Sequence, residues 1–186
     1  MNDKEIKILE ASITLFSKKG YGATTTASIA EHAGVAKGTL FNYYPNKEYL
    51  FNQSLIYVHQ DLVDYVSNLK EKKDFKKGMI EVWNRTIDYG LKYSDNFNFL
   101  IKYSNSPLLN DEVKEKLNNQ GKFFFYVYNK FQTRGEIKEP YYLFCNFMMQ
   151  DVVATIDYLV NNPNEDIEKI KKVSFDFLWA GVGIEV

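Results

Sequence analysis

The sequence has little of the chemistry on which enzymes and disulfide-bonded proteins depend. It contains one cysteine, Cys145, and two histidines, His32 and His59. A single cysteine has no disulfide partner in the chain, so we expect a reduced, cytoplasmic protein. The pattern around each histidine predicts a structural or solvated role, with His59 on the exposed side of a long helix. Because paired carboxylates and metal-ligand spacings are also missing, we expect no enzymatic activity, no bound metal and no cofactor.

Long hydrophobic runs and an excess of charge of one sign are missing too. The N-terminus MNDKEIKIL lacks the apolar core of a signal peptide. No apolar stretch approaches the ~20 residues that span a bilayer, so we expect no membrane partner. The net charge is -1, and residues 1–50 carry six lysines against five acidic residues. Charge neither supports nor excludes nucleic acid as a partner, because a few well-placed cations and helix N-termini can serve a small DNA-reading module.

What the sequence does have is helical periodicity along its length. Ile6, Leu9, Ile13 and Phe16 recur at helical spacing, and Gly20 is expected to end this first helix. Since no useful strand-like alternation occurs, an all-α fold of about nine helices is predicted. The further predicted helices run from Thr25 or Thr26 to Gly34, Lys37–Tyr43, Asn46 to about Leu69, Phe75 onward for roughly 20 residues, Phe97–Tyr103 before Pro107, Asp111–Thr133, Pro140–Leu159 and Asp166–Ala180.

Residues 24–51 carry the clearest functional signal, TTTASIAEHAGVAKGTLFNYYPNKEYLF. Two short apolar-periodic segments flank the turn at Gly34, an arrangement typical of a helix-turn-helix whose second helix lies in a DNA major groove. Leu40 and Tyr44, four residues apart, are expected to pack inward and hold that helix in place. For any single residue an ordinary helical bundle with surface lysines and threonines is the alternative, but the ordered combination favours DNA reading.

The side chains of this segment have chemistries suited to DNA. Gly38 removes a Cβ where the backbone would approach DNA most closely. A lysine, a threonine, an aromatic ring and an asparagine amide can contact base edges, whereas hydroxyls and a lysine at helix starts suit phosphates. We predict phosphate contacts by Thr25, Thr26, Tyr43 and Lys47, and base contacts by Lys37, Thr39, Phe41 and Asn42.

Four segments in this part of the chain carry a family resemblance. They are ASITLFSKKGYGATT (Ala11 to Thr25), IAEHAGV (Ile29 to Val35), KGTLFNYY (Lys37 to Tyr44) and NKEYLF (Asn46 to Phe51). Together they resemble the N-terminal domain of the tetracycline-repressor (TetR) family of bacterial transcription regulators. The resemblance implies that the nine residues just named for DNA, Gly38 included, fall at DNA-contacting positions. Two departures each remove a hydroxyl: Phe41 stands where Tyr is common, and Ala36 stands where Ser is common.

The many aromatic residues after Pro45 have two interpretations. They form either core alone or, in part, a pocket for a flat or apolar ligand between helices. The resemblance favours the pocket, because regulators of this family typically hold an inducer among their middle helices. Asp151 places a carboxylate in an apolar helix, where it could bind a cationic ligand, pair with a lysine or face solvent. The predicted ligand-binding residues are Leu62, Trp83, Ile87, Tyr103, Phe124, Tyr128, Phe147 and Asp151.

The last two predicted helices carry apolar residues on more than one side, which indicates burial by more than one partner. A two-fold homodimer through a four-helix bundle of these helices would supply the second partner, and an internal core helix is the alternative. The apolar residues concerned are Met148, Met149, Val152, Val153, Ile156, Leu159, Phe175, Phe177, Leu178 and Trp179. We therefore predict a helix-turn-helix DNA-binding domain at residues 1–46 and a helical ligand-binding and dimerisation domain at residues 47–186.

Two functions stay open at this point. The favoured one is a dimeric, ligand-responsive transcriptional regulator, a repressor released from a palindromic DNA operator by a small apolar or aromatic effector. The alternative is a helical DNA-binding protein of the nucleoid-associated or division-control type, which acts through a protein partner and has no inducer pocket.

Overall fold

Helices dominate the computed structural model, which describes residues 1–67, 75–120 and 140–182. The predicted all-α class with about nine helices is confirmed, since nine helices and no strand occur within these ranges. The predicted helix from Asp111 is described as far as Gln120, and its continuation to Thr133 lies outside the described residues. The helices are α1 Asp3–Ala23, α2 Thr26–His32, α3 Lys37–Tyr43, α4 Lys47–Ser67, α5 Phe75–Lys92, α6 Ser94–Tyr103, α7 Asp111–Gln120, α8 Tyr141–Asn161 and α9 Ile167–Val182.

Helix α1 begins with a capping box and contains a kink near its end. The Asn2 side chain accepts hydrogen bonds from the backbone N–H groups of Lys4 and Glu5, and the Glu5 carboxylate accepts one from the Asn2 N–H at 2.7 Å. Gly20 has a φ of +81°, which glycine adopts without steric cost, and one more turn leads to Ala23. The predicted stop at Gly20 is therefore a kink inside the helix.

The chain forms two compact units, the first made of Met1–Leu62 and Tyr93–Gln120. Aromatic rings fill much of its core. The Phe51 ring packs edge-on against Phe16, with centroids 5.3 Å apart, and against Phe99 at 5.6 Å. The Tyr103 hydroxyl accepts a hydrogen bond from the Tyr21 N–H at 2.9 Å and lies 3.4 Å from the Phe16 carbonyl, to which it donates. These contacts join α6 to the end of α1.

This first unit is larger than the predicted DNA-binding domain. Besides residues 1–46, it includes the first part of α4, together with α6 and α7. The functional boundary at residue 46 stays a prediction.

The second unit comprises Val63–Lys92 and the described residues of Gly121–Val186. Trp83 is fully buried, and its indole N–H donates to the Lys171 carbonyl at 3.1 Å. The Lys171 ammonium is itself buried and contacts Asp88 Oδ1 at 2.6 Å and Glu168 Oε1 at 2.7 Å. Burial alone would lower the pKa of Lys171, but hydrogen bonds and charges from the two carboxylates outweigh it and raise that pKa.

Helix α8 of this unit contains a long apolar segment that the sequence analysis did not predict. Its segment Leu143–Asn161 has 19 residues and a mean hydropathy of 1.2, enough by length and composition to cross a membrane. The prediction that no apolar stretch approaches this length is wrong here, because Asp151 and Asp157 interrupt the run but leave its mean hydropathy high. Core helices of soluble proteins have the same composition, and Val152 and Ile156 are buried in the unit.

A side-chain contact in the first unit joins α4 to α7. His59 Nδ1 lies 2.9 Å from Gln120 Oε1, and Gln120 Nε2 donates to the Ile56 carbonyl at 3.4 Å. Since Oε1 can only accept, the imidazole is the donor through Nδ1. His59 is half-buried, so the predicted exposed position is wrong: α7 covers this side of α4, and the helical pattern of α4 alone does not reveal α7. Burial lowers the pKa of His59, and the bond to Gln120 partly opposes this effect.

The lowered pKa of His59 predicts that the free energy of unfolding depends on pH. An unfolded histidine titrates near pH 6.5, and His59 in the fold binds its proton at a lower pH. Its contribution to stability is therefore fully present above about pH 6.5 and is lost as the pH falls through its folded pKa. As the pH is lowered from above about 6.5, the free energy of unfolding in urea should fall less for His59→Gln than for the wild type. The matched control is His32→Gln, at an exposed position; if both variants behave alike, the assignment to His59 fails.

Candidate nucleic-acid interface

Helix α2 begins at a reciprocal cap. The Thr25 hydroxyl accepts a hydrogen bond from the Ser28 N–H at 3.1 Å, and the Ser28 hydroxyl accepts one from the Thr25 N–H at 3.2 Å. Thr25 is exposed and Thr26 is half-buried. The buried Thr24 donates to the Gly20 carbonyl at 2.8 Å and so fixes the approach to α2. The predicted phosphate-contacting threonines therefore stand at a well-defined helix start.

The turn between α2 and α3 depends on Gly34. Its φ is +66°, in the left-handed region that ends many helices and favours glycine. The Gly34 N–H donates to the Glu31 carbonyl at 3.1 Å, and the Val35 N–H donates to the Ala30 carbonyl at 3.0 Å. These bonds satisfy the end of α2 and turn the chain into α3.

Two buried side chains, Leu40 and Tyr44, hold helix α3 in place. Leu40 is fully buried and Tyr44 is 5% exposed, as the sequence predicts. The Tyr44 hydroxyl donates to the Glu5 carbonyl of α1 at 3.4 Å, and burial raises the pKa of Tyr44 well above its ordinary value. Ala36, at the N-cap, makes no side-chain hydrogen bond, so the departure from serine leaves α3 without this common cap.

The remaining surface of α3 is open and carries the residues predicted to contact bases. Lys37, Gly38, Phe41 and Asn42 are exposed, and Thr39 is half-buried. The Lys37 ammonium lies 5.8 Å from the centroid of the Phe41 ring, a cation–π distance. Hydrogen-bonding, cationic and apolar groups therefore stand together on one short helix.

Two contacts position the predicted phosphate-contacting residues that follow α3. Asn2 Nδ2 donates to the Tyr43 hydroxyl at 3.1 Å, which leaves the phenolic proton available. The Lys47 ammonium lies 4.2 Å from the centroid of the Tyr21 ring. Sequence reasoning missed Asn2 and Tyr21. The N-x-x-E capping pattern at Asn2 could have located the start of α1, but it does not indicate a contact with a residue 41 positions away.

The predicted ligand-binding residues do not all fall in one unit. Tyr103 belongs to the core of the first unit, where its hydroxyl already bonds backbone atoms, and Leu62 packs against the same core. Trp83, Ile87, Phe147 and Asp151 belong to the second unit. Phe124 and Tyr128 lie outside the described residues.

Within the second unit, the four residues have different surroundings. Trp83 and Ile87 are fully buried, whereas Phe147 is 55% exposed. The half-buried Asp151 accepts a hydrogen bond from the Ser174 hydroxyl at 3.3 Å. Burial raises the pKa of Asp151, and the Ser174 bond offsets part of this rise. A ligand role for these residues stays a prediction.

Comparison with known proteins relates the segment that contains α2 and α3 to a known family. Residues 8–53 match the model of the bacterial regulatory proteins of the tetR family. This span runs from α1 through α2 and α3 into the first turns of α4. The HTH-type transcriptional regulator YuxN of Bacillus subtilis (strain 168) is 26% identical over 159 residues, 82% of this chain and 53% of YuxN. The chain thus spans about half the length of that relative.

Solved structures share the fold over almost the whole chain. A protein from Shewanella sp. PV-4 assigned to the tetR family of transcription regulators is 26% identical, with a TM-score of 0.87 over 99% of this chain and 100% of that one. The transcriptional regulator FadR from Bacillus subtilis, in complex with stearoyl-CoA, is 21% identical, with a TM-score of 0.73 over 95% of this chain and 98% of that one. The chain therefore carries the helix-turn-helix domain of the tetR family at residues 8–53 and shares its fold with a solved protein assigned to that family.

Proposed function

We propose that the protein is a cytoplasmic, dimeric repressor that binds a palindromic operator through α3 and is released by a small-molecule effector. The observation that carries this proposal is the exposed surface of α3. It presents Lys37, Phe41 and Asn42 on a helix that Leu40 and Tyr44 hold by their burial. A helix fixed in this way can enter a major groove without being ordered first.

Each exposed group on α3 has a partner in the major groove. A lysine binds the O6 and N7 acceptors of guanine, an asparagine amide pairs with adenine, and an apolar ring contacts the methyl group of thymine. Thr39 is suited to a thymine methyl or a phosphate. Thr25, Thr26, Tyr43 and Lys47 would contact the backbone and set the register of α3 on the duplex.

Gly38 supports close approach to DNA. A Cβ built at this position meets no atom within 4 Å, so packing inside the protein does not require glycine. Its φ is not positive, so the backbone does not require glycine either. A glycine within a helix costs about 0.5–1 kcal/mol relative to alanine. A DNA backbone lying against α3 would explain why glycine stands there.

A homodimer is supported by the apolar surface of α8 and α9. The two helices pack together inside the second unit, where the Thr155 and Ser174 hydroxyls share a hydrogen bond. Their outer sides nevertheless expose Phe177 at 73%, Val160 at 65% and Phe147 at 55%. Several large apolar side chains on two neighbouring helices indicate an interface. A two-fold axis would pair the two reading helices in major grooves about 34–36 Å apart or a multiple of that distance.

The effector is proposed to be small and apolar or aromatic. FadR of Bacillus subtilis, which shares the fold, is bound to stearoyl-CoA in its crystal structure, and this supports an apolar effector here. Release from DNA requires that the effector bind the free form more tightly than the DNA-bound form. The described candidates in the second unit are Trp83, Ile87, Phe147 and Asp151, and those in the first are Leu62 and Tyr103.

One observation favours the second candidate function, a DNA-binding protein that acts through a protein partner. Trp83 and Ile87 are fully buried by the protein itself, and the Trp83 indole N–H is already bonded to the Lys171 carbonyl. A filled core around these residues is what a protein without an inducer would have.

Replacing Gly38 by alanine tests the proposed reading surface, which is the side of α3 that carries Lys37, Gly38, Phe41 and Asn42. Gly38→Ala should raise the free energy of unfolding by about 0.5–1 kcal/mol, because alanine is the better helix former. It should weaken binding to DNA from the region upstream of the gene about tenfold or more, because the methyl group meets the DNA (tenfold is about 1.4 kcal/mol). Urea unfolding and fluorescence anisotropy measure the two effects. The control is Gly22→Ala, at another open position, which should leave DNA binding unchanged; unchanged binding by Gly38→Ala contradicts the proposal.

A charge on the exposed surface of α9 tests the dimer. Phe177→Glu should give a folded monomer, since burying a phenylalanine contributes about 1.5–3 kcal/mol that a carboxylate cannot replace. Sedimentation equilibrium measures the association, and circular dichroism confirms the fold. Leu108→Glu, at a residue of the first unit that is 38% exposed, should remain dimeric. A monomeric wild type, or a fully dimeric Phe177→Glu variant, would rule this interface out.

A further inference from the structure

A polar groove of about 240 Å³ lies in the first unit, between the beginning of α4 and α7. Its volume equals that of roughly eight liquid waters at about 30 Å³ each. None of the predicted ligand-binding residues lines it. The polar residues that matter for its chemistry are Asn46, Glu48, Asn52, Asn110, Glu112 and Lys116.

One buried side chain of the groove, Asn52, has an oxygen, Oδ1, that lacks a hydrogen-bond partner among the described residues. The residue is only 4% exposed. Buried amides are almost always bonded, so an exception needs an explanation. The amide can present either its oxygen or its NH2 group after a 180° turn. Because Asn52 lines the groove, a polar molecule bound there would meet its amide after such a turn.

The rim carries charges of both signs. Glu48 and Glu112 provide carboxylates, and Lys116 provides an ammonium group; within the described ranges none of the three forms an ion pair. A ligand of one sign would meet at least one like charge. A ligand that carries both signs meets an opposite charge for each.

Two helix caps add hydrogen-bond donors. The Asn46 Oδ1 accepts from the Tyr49 N–H at 2.7 Å, and the Asn110 Oδ1 accepts from the Val113 N–H at 2.9 Å. Because each oxygen is used for capping, each side chain keeps its NH2 group as a donor. Like the Lys116 ammonium, these donors can bond the negative end of a ligand.

We propose that this groove binds a small zwitterion of the α-amino acid class. Glu48 and Glu112 bind its ammonium group, Lys116 and the cap amides bind its carboxylate, and Asn52 bonds one of its polar ends. The groove reaches the first turn of α4, which begins at Lys47, so an occupant would contact the helix that follows the reading surface. Binding at this site does not depend on the proposed repressor function.

Titration of the full chain without DNA tests the site. Isothermal titration calorimetry is run with each common L-amino acid alone, and then with the amine and the carboxylic acid matched to any that bind. At least one amino acid should bind saturably, and both matched compounds should bind about tenfold more weakly or worse, since each lacks one charged contact. If no amino acid binds saturably, the proposal is overturned.

Variants of α7 locate the site with controls on the same helix. Glu112→Gln and Lys116→Met should each weaken binding about tenfold or more, because each removes one charge from the rim. Glu115→Gln and Lys114→Met change the same residue types outside the groove and should bind as the wild type does. Equal effects of groove and control variants would overturn the site.

Asn52→Leu separates a binding role from a structural one. Leucine has a similar shape and no polar atoms, so the ligand-free variant should melt at a higher temperature while amino-acid binding is lost. Undiminished binding by this variant would show that Asn52 does not contact the ligand and would overturn its assigned role.

Discussion

The reading surface depends on the burial of Leu40 and Tyr44. Helix α3 has seven residues and no side-chain cap, so it is too short to be stable by itself. Burying Leu40 alone contributes about 1.5–3 kcal/mol, and Tyr44 adds a bond to α1. The exposed side chains of α3 are therefore held in place by tertiary packing, and whatever disturbs that packing disturbs the surface offered to DNA.

The same core joins the reading surface to other helices of the first unit. The Phe51 ring of α4 packs edge-on against both Phe16 of α1 and Phe99 of α6, and the Tyr103 hydroxyl accepts a hydrogen bond from the Tyr21 N–H. The Tyr21 ring in turn faces the Lys47 ammonium. A displacement of α4 or α6 must be accommodated by these rings, because closely packed cores do not deform freely. An effector would regulate DNA binding if it bound the free and the DNA-bound forms with different affinities.

The helices and their buried faces could be predicted from the sequence, whereas contacts between residues far apart in the chain could not. Periodicity and Gly34 located α2 and α3, and the i, i+4 spacing of Leu40 and Tyr44 predicted their burial. Periodicity shows which side of a helix is apolar, but not what covers it. It therefore left open the contact of Asn2 with Tyr43 and the place of Tyr103 in the first unit's core. For the same reason the groove at Asn52 had no signal, since α4 and α7 meet only in the fold.

The proposed function depends on one division of roles: Thr25, Thr26, Tyr43 and Lys47 bind phosphates while the exposed side chains of α3 read the bases. Its most direct test is the salt dependence of affinity for DNA from upstream of the gene. The logarithm of the binding constant should fall linearly with the logarithm of salt concentration, and Lys47→Met should reduce the slope by about 0.9 for each phosphate that the variant no longer neutralises. Lys18→Met, at an exposed lysine paired with Asp95, should leave the slope unchanged. A binding constant that does not depend on salt, or an unchanged slope in Lys47→Met, would contradict the account.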